Sequence, residues 1–389
     1  MILSLIVYIG SAAVMAWLGW HVGHREQRRL ALDRSAGELP VYSWEIVTAI
    51  IFYVAVSSVR WLTSWDYNMY YGYFVSMQSL GEYSRENFEP GFVFLTNALA
   101  RSGFHFAAYF GFWAALQICL LYYSLRHRKV LLPWIALCIF LGPYYIQWMN
   151  TIRQTVIECL FVIMVELIVR RRFWLYVALS LAAMLIHRMS VLLIPLYFVP
   201  LIRVRYLNNR WLMCGLLALC AVLGQFPQWI QWLFERLGEF AGLLGYGHYY
   251  RLFSNHNLEY VFRIWTGPAR LFPLISAMMM VWYYPAIMRM FKGDAFIAAI
   301  YRFSILHIAF LNVFANTTLY LRRPGDLLRG VFLVMVCYTL LTLWRERRWL
   351  PFSIMAFLNF YYIFYELFKV AIAPAGTYFP QMYHTFLFS

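Results

Sequence analysis

The chain alternates long apolar runs with short polar breaks, and most runs have the length of a membrane-crossing helix. The runs lie near 2–21, 44–62, 104–125, 130–148, 152–169, 173–187, 189–202, 211–232, 267–288, 296–318, 327–344 and 349–371. At 1.5 Å per residue, about 20 residues cross about 30 Å of hydrocarbon, so 173–187 and 189–202 are the short members. The pattern predicts an all-α polytopic membrane protein with about twelve transmembrane helices. It predicts a single integral-membrane domain over 1–389, with extracytoplasmic loops at about 63–103 and 233–266. Within the short pair, His187-Arg188 is where a broken or re-entrant couple of half-helices would part. The run from Ile2 to Val22 is read as a first span, because its charges (Arg25, Arg28, Arg29) follow it and no small-residue cleavage site stands out.

Alternating the breaks between two sides separates them by charge. One set holds Arg25 to Arg34, Arg126-His127-Arg128-Lys129, Arg170-Arg171-Arg172, Arg203 to Arg210, Arg289 to Lys292 and Arg345 to Arg348. Dense basic clusters belong in the cytoplasm, so both termini are expected on the extracytoplasmic side. Composition agrees: 63% of residues are hydrophobic and 13% charged, against about 25% charged in soluble domains. The net charge of +15 sits largely in the arginine clusters that topology alone explains, so no nucleic-acid partner is expected. All six cysteines lie inside apolar runs without zinc-ligand spacing or a disulfide framework, and read as small buried side chains.

Polar residues that topology does not explain share the outer side. They include Arg60, Asp66, Tyr67, Glu89, Asn150, Arg153, Gln154, His187, Arg188, Arg263, Arg322, Arg323, Asp326 and Arg329. Several arginines there make a basic surface suited to an anion such as a lipid-borne diphosphate. Thr151-Ile152-Arg153-Gln154 reads as a capping box, which places Arg153 in a helix's first turn beside free backbone N–H groups. The alternative is that Arg153 only snorkels to the interface. Glu89-Pro90-Gly91-Phe92 starts a helix with Glu89 extended just outside it, either a fixed carboxylate near a reaction centre or a plain helix-start acid. Arg322-Arg323 precedes Pro324-Gly325-Asp326 and is read as phosphate-binding or as an ion pair with Asp326. His187 is a candidate proton acceptor or a solvated helix-end histidine. In the loop 233–266, Tyr246, His248, Tyr249, Tyr250 and His256 would stack on sugar rings or form an interfacial aromatic belt. Glu158 and Glu166, inside a span, are expected to pair with neighbouring helices.

Four motifs occur in order: Arg60 with Trp65-Asp66-Tyr67-Asn68-Met69-Tyr70, Phe88-Glu89-Pro90-Gly91-Phe92, Asn150-Thr151-Ile152-Arg153-Gln154 and Ile186-His187-Arg188-Met189-Ser190. Arg322-Arg323 and Tyr378-Phe379-Pro380 follow. From the second span to the end, the chain resembles the EpsG family of Wzy-like O-antigen or exopolysaccharide polymerases. The resemblance implies a GT-C-like glycosyltransferase of the bacterial inner membrane with its active site facing the periplasm. Its substrate would be a polyprenyl-diphosphate-linked oligosaccharide in the lipid bilayer, with a flippase and a chain-length regulator as further partners. A growing glycan would pass to the non-reducing end of another lipid-linked repeat unit, with no cofactor and no metal. The residues then divide into Arg153, Arg323, Arg322, Arg60, Arg263 and Arg188 for the diphosphate, and His187, Glu89 and Asp66 for catalysis. Tyr67, Gln154, Asn150, Tyr249 and Tyr250 would hold the glycan. An O-antigen-ligase-type transferase, a flippase or transporter, and a membrane acyltransferase are the competing readings.

Overall fold

The computed structural model describes residues 2–32, 39–81, 88–202, 209–226, 228, 229, 232, 236, 271–317, 319–372 and 382–388. Among these, the regular elements are helices, with one isolated antiparallel bridge between Arg60 and Thr385. The first half holds α1 (Ile2–Leu32), α2 (Trp44–Ser58), α3 (Tyr67–Ser79), α4 (Pro90–Arg101), α5 (Phe106–Ser124), α6 (Leu132–Leu141), α7 (Tyr144–Asn150) and α8 (Ile152–Val169). The second holds α9 (Phe173–Met184), α10 (Leu193–Leu196), α11 (Arg210–Leu223), α12 (Phe272–Met290), α13 (Ala295–Val313), α14 (Leu319–Asp326), α15 (Arg329–Arg345) and α16 (Trp349–Ile372).

Ile2–Arg29, Phe106–Ser124 and Ala295–Val313 are each long and apolar enough to cross a membrane. Lys129–Leu141 with Tyr144–Asn150 passes the same test as a pair bent by 69°. The bend falls at Gly142-Pro143, where proline withholds a backbone donor and crowds the preceding turn. The remaining expected spans do not meet that test, Trp44–Ser58, Phe173–Met184 and Arg210–Leu223 being shorter apolar helices, and the stretch 189–202 is a series of short turns, Arg188–Leu192, Leu193–Leu196 and Val199–Leu201. Large apolar side chains such as Ile6, Ile51, Leu350 and Phe357 point outward, as lipid contact requires and water does not favour.

α15 is the axis of the second half. Its residues from Gly330 to Leu343 are all buried, and it packs on α6, α8, α12, α13 and α16. A helix apolar all round is stable only when surrounded. Gly330 permits the close crossing with α8, since a Cβ there would stand 2.7 Å from the Glu158 carbonyl.

The expected loop 63–103 contains two helices instead. Tyr67, Tyr70, Phe74 and Met77 repeat at helical spacing along α3, as do Phe92, Thr96 and Ala100 along α4. These stripes bury against Tyr109, Phe110 and Trp113 of α5 in an aromatic cluster separate from the main core. Aromatic side chains bury large areas, which holds short helices that propensity alone would not.

Among the described residues, members of the two sets of connections gather at different ends of α1, near Glu26 and near Ser4. At one end, Arg126 and Arg128 pair with Glu166 at 2.5 and 3.2 Å, Arg128 with Asp294 at 3.1 Å, and Lys129 with Glu26 at 2.5 Å. At the other, the Tyr383 N–H donates to Ser4 Oγ at 3.0 Å and the Trp61 N–H to the His384 carbonyl at 2.8 Å, so the 382–388 segment joins the start of α1 to the 60–66 loop.

Candidate functional site

Glu89 is the hub of the outer end. Pro90 occupies the first turn of α4, where its missing N–H costs nothing, and Glu89 is extended at φ −70°, ψ 145°. A Cβ on Gly91 would stand 2.8 Å from both the Leu185 Cβ and its carbonyl oxygen, so glycine lets α4 seat on the end of α9. The Phe92 N–H fixes that contact by donating to the Leu185 carbonyl at 3.1 Å. The seating brings the Glu89 carboxylate against the break after α9. Oε1 accepts the Arg188 N–H at 3.1 Å and lies 3.5 Å from His187 Nδ1, while Oε2 accepts from Arg153 Nη1. Burial pushes this carboxyl up, but the His187 imidazole, the Arg153 charge and the Arg188 N–H outweigh it and hold it at about 2.

Arg153 stands in the first turn of α8, with its guanidinium over the rings of Phe88 (4.8 Å) and Phe92 (5.1 Å) and beside the Tyr70 hydroxyl. The capping box that would have placed it does not form. Thr151 Oγ1 donates to the Gln147 carbonyl at 2.9 Å, and Gln154 Nε2 donates to Glu158 Oε1 at 3.2 Å. The cause is local: α7 ends one residue before α8 begins, so the Thr151 hydroxyl is taken by the preceding helix.

Asp66 occupies the N-cap position of α3, half-buried, and its backbone N–H donates to Asn150 Oδ1 at 2.8 Å. Burial raises its carboxyl above the usual range, against the lowering charges of Arg323 and Arg153. Five segments distant in sequence therefore converge: Asp66 with Tyr70, Glu89, Arg153, His187-Arg188 and Arg323. The Arg153 and Arg323 guanidinium groups act on the Asp66 carboxyl, Arg153 also pairs with Glu89, and Arg188 joins through its backbone N–H while its side chain is exposed.

Other expected site residues serve the framework. Arg60 is 1% exposed. Its Nη1 donates to the carbonyls of Thr63 (3.0 Å) and Met149 (3.2 Å), and the group lies 4.4 Å from the Phe110 ring. Tyr67 is buried, stacked at 4.7 Å on Phe110. Asn150 accepts the Asp66 N–H, and Gln154 is buried against Glu158. The charge of Arg322 acts on His307, so the double arginine divides between two clusters. Arg263, Tyr249 and Tyr250, with the rest of the loop 237–270, lie outside the described residues.

Asp326 pairs with Arg329 at 2.7 Å, and Arg329 reaches Glu158 at 3.4 Å. The i,i+3 spacing of Asp326 and Arg329 was the readable signal for that pair. Glu158 and Glu166 do pair with neighbouring segments, as expected. Tyr70 was read from the sequence only as the end of the Trp65–Tyr70 motif, with no site role, although it shares the Tyr67–Phe74 stripe. Among the described residues, no group of three or more His, Cys, Asp or Glu side chains is placed to hold a metal ion.

The model of the EpsG family covers residues 44–382, and the chain belongs to that family. No curated protein and no solved structure matches it.

Proposed function

With membership of the EpsG family as premise, we propose that the chain is a polysaccharide polymerase acting on lipid-linked repeat units at the extracytoplasmic face of the bacterial inner membrane. The observation that carries the reading is the convergence of Arg153, Arg188 and Arg323 with Asp66, Glu89 and His187 at the bundle end away from the basic loops. The family suggests an exopolysaccharide or O-antigen polymerase-like role, and this cluster supplies groups for one.

The acceptor hydroxyl oxygen attacks the anomeric carbon of the donor glycan, the bond from that carbon to the diphosphate oxygen breaks, and the lipid diphosphate leaves. Arg153 and Arg323, with the exposed Arg188, stabilise the charge that grows on the leaving diphosphate. Asp66 is the base favoured of the two carboxylates, because its carboxyl is raised while that of Glu89 is held at about 2, too acidic to take a hydroxyl proton well. Glu89 orients Arg153 and the His187-Arg188 backbone. Arg60 and Asn150 build the loop that carries Asp66.

The test is product length. Purified protein in nanodiscs receives a polyprenyl-diphosphate-linked repeat unit and no nucleotide sugar. A regular ladder of products, absent in folded Arg153→Ala and Arg323→Ala proteins, is expected. A normal ladder from both variants refutes the site. A single transfer to a non-repeat acceptor favours a ligase, and the absence of any new glycosidic bond from the native substrate favours a transporter or an acyltransferase.

A further inference from the structure

The loop that carries Asp66 is not self-supporting. Between Arg60 and Asp66, Leu62 and Ser64 have φ of 49° and 86°, a left-handed region that non-glycine residues occupy only when surroundings impose it. Three ties impose it. The Arg60 guanidinium reaches back to the Thr63 carbonyl and Ser64 Oγ (3.4 Å). Asn150 holds the Asp66 N–H. The third tie comes from residues 382–388, at the far end of the chain.

This segment crosses the bundle end through residues 383–385 and closes in a short 3-10 turn at Phe386–Phe388. The Tyr383 N–H donates to Ser4 Oγ of α1 and the Tyr383 hydroxyl to the Val56 carbonyl of α2 at 2.6 Å. Arg60 and Thr385 form an antiparallel bridge, the His384 carbonyl accepts the Trp61 N–H, and the His384 N–H donates to Thr63 Oγ1 at 3.2 Å. Phe386 then packs on His105 and Phe106 at the start of α5 (5.3 and 5.1 Å). The segment thus pins three helices and the strained loop together, with bonds on both sides of Leu62.

We propose that residues 382–388 are a positioning strap for the reaction: they hold the Arg60–Asp66 loop in its strained path and so set the Asp66 carboxyl against Arg153 and Arg323. Tyr383 and Thr63 are positioning residues acting through Asp66. The kinetic part rests on the polymerase reading and on Asp66 as base; the mechanical part does not.

Two variants of the full chain cut the strap at different points. Tyr383→Phe removes the bond to Val56, and Thr63→Val removes the acceptor for His384, which Thr63→Ser restores. Each is read by steady-state polymerisation kinetics and by hydrogen exchange of the Trp61 and Asp66 amides. In Tyr383→Phe and Thr63→Val, kcat should fall about tenfold or more with KM for the lipid-linked donor unchanged, as expected of a displaced catalytic group. Protection of both amides should fall together, and Thr63→Ser should recover both readouts. Native kcat in the two variants overturns the proposal, as does native protection of the Trp61 and Asp66 amides. If the unaltered protein forms no glycosidic bond, the polymerase reading fails by itself. Amide exchange then judges the strap alone: joint loss of protection supports it and native protection overturns it.

Discussion

Replacing Glu89 by glutamine tests the hub by its pH signature. The carboxyl lies at about 2 instead of the ordinary 4.5. That gap, at about 1.4 kcal/mol per unit, corresponds to about 3 kcal/mol of preference for the ionised form in the folded state. Glu89 is 5% exposed, so solvent screens little of it. Because the folded value is depressed, this stability is present above pH about 4.5 and is lost as pH falls toward about 2. A glutamine side chain keeps the shape and an acceptor for the Arg188 N–H but cannot ionise. At neutral pH, Glu89→Gln should therefore be less stable than the native protein by up to about 3 kcal/mol. On acidification the difference should shrink, since protonation turns the native side chain into a near-copy of glutamine. The assay is thermal unfolding in detergent from pH 7 to pH 3.5, followed by tryptophan fluorescence. Parallel curves for the two proteins, or equal stability at pH 7, would refute the coupling of Glu89 to Arg153 and the His187-Arg188 backbone.

Three further outcomes follow from the same geometry. Asp66→Asn should abolish polymerisation yet unfold at a higher temperature than the native protein at pH 7. A raised acid contributes stability below its ordinary pKa and loses it as pH rises through the folded value, a cost that asparagine avoids. For the same reason, the acidic limb of the native kcat profile should lie above the ordinary aspartate range, and a limb at or below that range counts against Asp66 as the base. Gly91→Ala should push α4 away from Leu185, lowering kcat/KM at least tenfold by displacing Glu89; native kinetics from this variant would show that the seating does not matter. Arg60→Met should cost about 2–4 kcal/mol in thermal unfolding by leaving the Thr63 and Met149 carbonyls without their donor, and a loss below 0.5 kcal/mol, roughly the level of surface substitutions, would contradict a structural role.

The apolar runs determined by themselves that this is an all-helical chain built for lipid, because a polar backbone in hydrocarbon has few other ways to bond. They also located α5, α8, α13 and α15 to within a few residues, and among the described residues the arginine pattern grouped Arg126-His127-Arg128-Lys129 apart from the 60–66 loop. The local chemistry of Glu89-Pro90-Gly91 was legible too, since proline and glycine act on their own backbone. Polar side chains were ambiguous because their partners lie far along the chain. Arg60 and Arg153 read alike as outward arginines, yet one is spent on carbonyls of its own fold and the other faces a carboxylate. Thr151 and Gln154 satisfy a capping pattern, but α7 and Glu158 take their hydrogen bonds first. That the charges of Arg153 and Arg323 reach Asp66, and that Tyr383-His384-Thr385 braces the strained turn beside it, follows from tertiary packing. Sequence sets which groups can bond; only the closed bundle decides which of them are near enough to do so.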